Sequence, residues 1–192
     1  MKIVHYPHPT LRYNSATVRQ VDAELKKICA EMFDLMYEAN GIGLAANQVD
    51  LPLRLFVCNV AGKPDEGEEF VFINPVVSRP KGNEEKEEGC LSLPGVYGAV
   101  RRPETITFQA YTLDGQEFKQ ELSGMFARVV QHELDHLNGV LFTDRMTETG
   151  KLAVRPELDE FEYDYELRLR NGELPDDDAV VQRLKEIEAK YC

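Results

Sequence analysis

The chain has 192 residues, 43% of them apolar, and a formal net charge of -12. This length suits one ordinary core rather than two full domains, and an acidic surplus with no local basic patch argues against a nucleic-acid backbone as primary ligand, so no direct DNA binding is expected. No run approaches the roughly 18 apolar residues of a membrane span, and "MKIVHYPHPT" lacks the apolar core of a signal peptide, which predicts a cytoplasmic protein with no membrane contact.

In that compartment Cys29, Cys58, Cys90 and Cys192 are expected to be reduced thiols, available as metal ligands. From Asp22 to Glu38, Leu25, Ile28, Cys29, Met32, Leu35 and Met36 recur at three- and four-residue steps. This pattern predicts an amphipathic helix capped by Asp22 and ended by Asn40-Gly41, with Cys29 in the core. The segments "LRLFVCNV" (53–60), "FVFINPVV" (70–77) and "TITFQAY" (105–111) are rich in β-branched and aromatic residues and predict strands. Asp114-Gly115 marks a hairpin turn into "EFKQEL", and "KGNEEKEEG" is expected to be an acidic, solvated loop. Ser123 is a candidate N-cap for a second helix ending near Leu137, with Asn138-Gly139 as its stop. Residues 147–192 hold seven Lys or Arg against thirteen Asp or Glu. They form an acidic extension to a 1–146 domain, with a terminal helix predicted by the spacing of Val180, Val181, Leu184 and Ile187.

The second helix carries "VVQHELDHLNG" (129–139). Residues four apart share a helical face, so His132 and His136 can offer two imidazoles to one ion from positions about 6 Å apart along the axis. Glu133 stands beside that face, placed to act as a general base on bound water. A catalytic centre needs a third protein ligand. Gly139 matches the glycine of an HExxHxxGxxH protease, but position 142 is Phe142, which cannot bind metal. Glu157 could serve as a downstream carboxylate, although nothing around it supports the choice. Upstream, Cys90 in "EEGCLSLPG" is a soft ligand in a Gly- and Pro-bounded segment expected to form an irregular turn, and thiolate with imidazole suits zinc or iron(II). The stretch "GIGLAANQ" (41–48) adds glycines that permit close backbone approach and the amide of Gln48.

Together "GIGLAANQ", "EGCLS" and "QHELDH" resemble the three signature motifs of the peptide deformylases, a similarity running from about residue 3 to Met146. The resemblance implies an α+β fold with antiparallel sheets around a central helix bearing the histidines, followed here by a C-terminal helical extension. It implies a metallo-hydrolase that removes the N-formyl group from the N-terminal methionine of new polypeptides, releasing formate. Cys90, His132 and His136 would bind one divalent metal, Fe2+ physiologically, with Zn2+, Ni2+ or Co2+ able to replace it. Metal-bound hydroxide would attack the formyl carbon with Glu133 as general acid/base, and Gln48 with the Leu91 backbone N–H would stabilise the oxyanion. Ile42, Gly43 and Gly89 would line the peptide track, while Met125, Arg128 and Val129 would border the methionine pocket. At position 128 the family leads one to expect an aliphatic residue; the arginine is expected to lay its stem on apolar surface with its head in water, or to contact substrate. Glu88 and Arg102 would pair to brace the Cys90 segment. His5 and His8 lack ligand spacing and are expected to pack or lie on the surface. Formylmethionyl nascent peptides are the implied partner, with transient ribosome proximity; a homodimer is also allowed, and the extension is expected to pack on the body or on a second subunit.

Overall fold

The computed structural model describes residues 1–192. Helix α1 (Ala23–Glu38) starts where the Asp22 carboxylate accepts the Leu25 N–H at 2.7 Å, and it ends at Asn40, whose φ of 57° breaks the helix. A short strand β1 (Gly43–Ala45) and a 3-10 turn (Ala46–Val49) follow. Next come β2 (Leu55–Cys58), β3 (Phe70–Lys81), β4 (Glu84–Cys90), β5 (Leu93–Arg102), β6 (Thr105–Tyr111) and β7 (Glu117–Ser123). Helix α2 (Gly124–Leu137) carries the histidines, and α3 (Phe142–Arg145), α4 (Glu148–Ala153), α5 (Arg155–Arg170) and α6 (Asp177–Tyr191) complete the chain. Five strands form an antiparallel sheet in the order β1-β2-β3-β6-β7, and β4 with β5 makes a separate hairpin. This is the expected α+β arrangement.

Strand β2 explains the layering. All four of its residues are buried, and successive side chains point to opposite faces. Leu55 and Val57 join Leu25, Met32 and Met36 of α1 in one core, whereas Phe56 and Cys58 join Ala127, Val129 and Val130 of α2 in another. The sheet is thus held between two helices, and α2 is buried on nearly every side. The second core includes a run of aromatic contacts; Phe72 lies 4.9 Å from the ring centroids of both Phe108 and Phe118. A third core sits between β5, the N-terminal segment and the chain after α2, through Val96, Val100, Leu11, Leu141 and Phe142.

Two expectations are corrected. The acidic stretch is strand β4 over Glu84–Cys90, not a loop, and Cys90 is its last residue rather than part of a wholly irregular segment. Its exposed charges hid it: pairing with β5 and the burial of Glu88 make it a strand without any apolar alternation. The extension also contains α5, which charge masked although Leu158, Phe161, Tyr165 and Leu169 keep helical spacing. The predicted terminal helix is α6, and Val180, Leu184 and Tyr191 bury its inner face.

The extension packs on the body. Tyr191 enters the α1 core, its carbonyl accepts the Arg19 N–H at 2.8 Å, and Arg183 pairs with Asp50 just past the 3-10 turn. From α5, Glu162 accepts the Tyr6 hydroxyl at 2.5 Å, and Phe161 meets the His5 ring edge-on. His8 packs edge-on to Tyr165. Both N-terminal histidines therefore have packing contacts, as expected.

Candidate active site

The second helix delivers its histidines to the end of strand β4. His132 and His136 lie one turn apart with ring centroids 4.9 Å from each other, and Cys90 Sγ is 3.2 Å from His136 Nε2. One donor atom from each of Cys90, His132 and His136 falls within 4.8 Å of the others. A tetrahedral metal with thiolate and imidazole ligands has donor separations of about 3.5 Å, so this trio fits such an ion with little movement. His132 Nδ1 is 3.0 Å from Glu88 Oε2, which fixes that nitrogen as donor and leaves Nε2 with its lone pair for a metal. The chemistry of one thiol and two imidazoles suits both zinc and iron(II).

Glu133 is 4% exposed, and its Oε2 has no hydrogen-bond partner. Burial raises its pKa to about 7, against the opposing pull of His132 and Arg102. It faces β1 so closely that a Cβ at Gly43 would lie 2.4 Å from Oε1. Glycine at 43 is thus what lets the carboxylate occupy this place. Gln48 is oriented from the 3-10 turn: its Oε1 accepts the Ala45 N–H at 2.9 Å, which turns Nε2 toward Ser92 Oγ at 3.2 Å and Cys90 Sγ at 3.4 Å. The Ser92 N–H also points at that sulfur, 3.4 Å away.

Behind the histidines lies a buried chain of charges. Arg102 binds both oxygens of Glu88, at 2.7 and 2.9 Å, and reaches Asp135 Oδ2 at 2.7 Å. Arg145 shares that oxygen, donating from Nε at 3.0 Å, and also binds the other Asp135 oxygen through Nη2. Burial opposes ionisation of Glu88, but His132 and Arg102 outweigh it and hold the carboxyl well below its usual range. Burial likewise disfavours charge on His132, yet in the metal-free protein its bonds to Cys90 and Glu88 raise its pKa to about 10, so an ion that binds there displaces the Nε2 proton. His136, deeper and beside that positive ring, is pushed well below the ordinary histidine value. The expected Glu88–Arg102 pair is present; Asp135, Arg145 and Ser92 are additional members that motif spacing did not reveal.

Arg128 corrects the sequence reading. Its guanidinium is not in water: the residue is 7% exposed and bonds Glu88 Oε1 at 2.6 Å, the Val100 carbonyl at 3.1 Å and the Glu84 carbonyl at 2.8 Å. Asn47, to which the sequence reading gave no role, is fully buried, and its amide donates to the His136 backbone carbonyl. The rejected protease ligands are accounted for as well, since Phe142 is buried beside the His132 ring and Glu157 is exposed on α5.

A cavity of about 820 Å³ opens onto this centre. All the candidate site residues line it except His136, which sits behind. Met125, Val129, Ile42, Gly43, Gly89 and Leu91 all contribute to its wall, with Gly43 packed against Val129. Tyr97 and His5 also line it, and neither carried a sequence signal; Tyr97 packs so tightly on Gly89 that a Cβ there would be 2.7 Å from its ring.

A family model described as polypeptide deformylase matches residues 1–152. The peptide deformylase of Rhodopirellula baltica is 51% identical over 191 residues, covering 100% of this chain and 95% of that protein. That of Neisseria gonorrhoeae is 42% identical over 158 residues, 82% of this chain and 93% of its own length. Among solved structures, Arabidopsis thaliana peptide deformylase 1B in complex with an inhibitor matches with a TM-score of 0.85 and 43% identity, over 92% of this chain and 97% of that one. The peptide deformylase of Thermus thermophilus gives 0.77 and 38%, over 84% and 97%. Proteins of this family are metal-dependent enzymes that remove the N-formyl group from nascent peptides. The chain belongs to the polypeptide deformylase family.

Proposed function

We propose that this enzyme removes the formyl group from N-formylmethionyl ends of new polypeptides at the centre formed by Cys90, His132 and His136, with Glu133 as general acid/base. The observation that carries the reading is Glu133 itself: a buried carboxylate with an unpartnered oxygen, beside two histidines and a cysteine, at the wall of a large cavity. Stability alone disfavours such a group.

Cys90, His132 and His136 hold one divalent ion, iron(II) in the cell, with zinc, nickel or cobalt able to take its place. A divalent ion there supplies Lewis acidity and brings the pKa of water from about 15.7 to about 7. Glu133 accepts a proton from the attacking water as its oxygen bonds to the formyl carbon. The carboxyl then returns that proton to the amine as the C–N bond breaks, so formate and a free methionyl amine leave. Negative charge building on the formyl oxygen is met by the Gln48 amide and the Leu91 backbone N–H. Ile42, Gly43 and Gly89 guide the peptide backbone, while Met125 and Val129 flank the methionine side chain.

Residues 1–146 form the catalytic domain, and residues 147–192 are a docked extension. The enzyme meets its substrate in the cytoplasm, close to the ribosome, where formylated chains emerge. The test is formate release from formyl-Met-Ala-Ser by protein titrated anaerobically with iron(II). Release should rise in proportion to bound metal up to one ion per chain; metal bound at that stoichiometry with no formate would overturn the reading.

A further inference from the structure

Arg128 stands one turn before His132 on a helix whose neighbours there are apolar, yet its charge is spent inside the protein. Its guanidinium joins three pieces of chain: it shares Glu88 Oε1 with Arg102, and it caps the carbonyls of Glu84 on β4 and Val100 on β5. Glu88 in turn holds His132 Nδ1 through its other oxygen and lies two residues before Cys90. One side chain of α2 therefore fastens the hairpin that ends in the cysteine to the helix that bears the histidines. An aliphatic residue at 128 could fill the same space, but it would leave two strand carbonyls and one Glu88 contact without this donor.

We propose that Arg128 is a positioning residue for the metal centre: it clamps the β4–β5 hairpin to α2 and so sets how tightly the centre retains its ion, without binding substrate through its charge. This rests on the ligand set proposed above. Arg128 acts through Glu88 rather than on a ligand directly, so its effect belongs at the lower end of the 10- to 100-fold that outer partners of metal ligands typically contribute.

The test uses zinc-loaded protein and follows metal transfer to a chromophoric chelator. In Arg128→Met, release should be about 10-fold faster than in wild type. Arg128→Lys keeps the charge but not the planar fork, so it should fall between the two. At saturating metal, KM for formyl-Met-Ala-Ser should stay within about twofold in Arg128→Met. Leu184→Ala, buried in α6 and outside the cavity lining, serves as the control for general loosening. At a comparable loss of Tm, it should release zinc at the wild-type rate. Should Arg128→Met fail to fold, Arg128→Lys against Leu184→Ala gives the same comparison. Zinc release unchanged in the Arg128 variants, or equally fast in Leu184→Ala, overturns the inference, as does a large rise in KM with retention intact. If wild-type protein itself holds no zinc at one per chain, the ligand set fails instead.

Discussion

Gly43 and Glu133 are in contact across the boundary between strand β1 and helix α2, and a single added carbon on Gly43 would fall 2.4 Å from the carboxylate oxygen. Gly43→Ala must therefore displace Glu133, or move β1 away from α2. A displacement near 1 Å at a reacting group costs on the order of 100-fold in rate. Turnover should drop by about that factor while metal content stays at one per chain. Turnover within twofold of wild type would remove the close contact from the account.

Gln48 presents its amide N–H toward Cys90 because Ala45 holds the other end of the side chain. Loss of one oxyanion donor typically costs about 2.7–4 kcal/mol of transition-state stabilisation, or 100- to 1,000-fold in kcat. Gln48→Ala should show that fall with unchanged metal stoichiometry. A near-normal kcat would take Gln48 out of the chemistry.

Glu88 and Glu133 pull pH stability in opposite directions. The folded protein depresses the Glu88 pKa, so its contribution is fully present above the unfolded value of 4.5 and is lost as pH falls toward the folded pKa. Glu133 is raised from 4.5 to about 7, so in chelator-treated protein its ionisation opposes folding increasingly as pH rises across that range. Metal-free Glu133→Gln should therefore be more stable than wild type at pH 8, by on the order of a few kcal/mol. Glu88→Gln should be less stable at neutral pH and show a flatter acid limb below about 4.5. Denaturant midpoints measured across pH 3–8, a range of about five units around these values, check both signs.

The C-terminal extension is structural in this account. Tyr191 is 3% exposed in the α1 core, and removal of a buried aromatic ring typically costs about 3–5 kcal/mol. Tyr191→Ala should lower Tm clearly, and deletion of residues 147–192 should lower it further. A truncated chain with wild-type Tm would show that docking of α6 contributes nothing to the body.

Local chemistry decided what was legible from sequence. Asp22 and Asn40 mark the ends of α1 by a cap and a left-handed residue, both local events, and each stands where the sequence placed it. His132 and His136 needed only helical periodicity to share a face. Cys90 was harder, because its pairing with the histidines depends on how a hairpin folds over a helix 42 positions away from it; the lack of a downstream ligand made it a candidate, and the joint pattern of three motifs singled it out. Strand β4 was missed since its partners satisfy charge rather than bury oil: Glu88 goes inward to Arg102, Arg128 and His132. Arg128 misled for the same reason. A lone arginine on an apolar helix face carries no sign of whether its head meets water or a buried carboxylate; the Glu88 lying 40 positions earlier decides that.

The most direct measurement compares wild-type protein with Glu133→Ala, both loaded anaerobically with iron(II), for formate release from formyl-Met-Ala-Ser and for bound iron in the same samples. The account predicts one iron per chain in each, rapid formate from wild type and a loss of many orders of magnitude in the variant. Formate release by the variant at a rate close to wild type would contradict it.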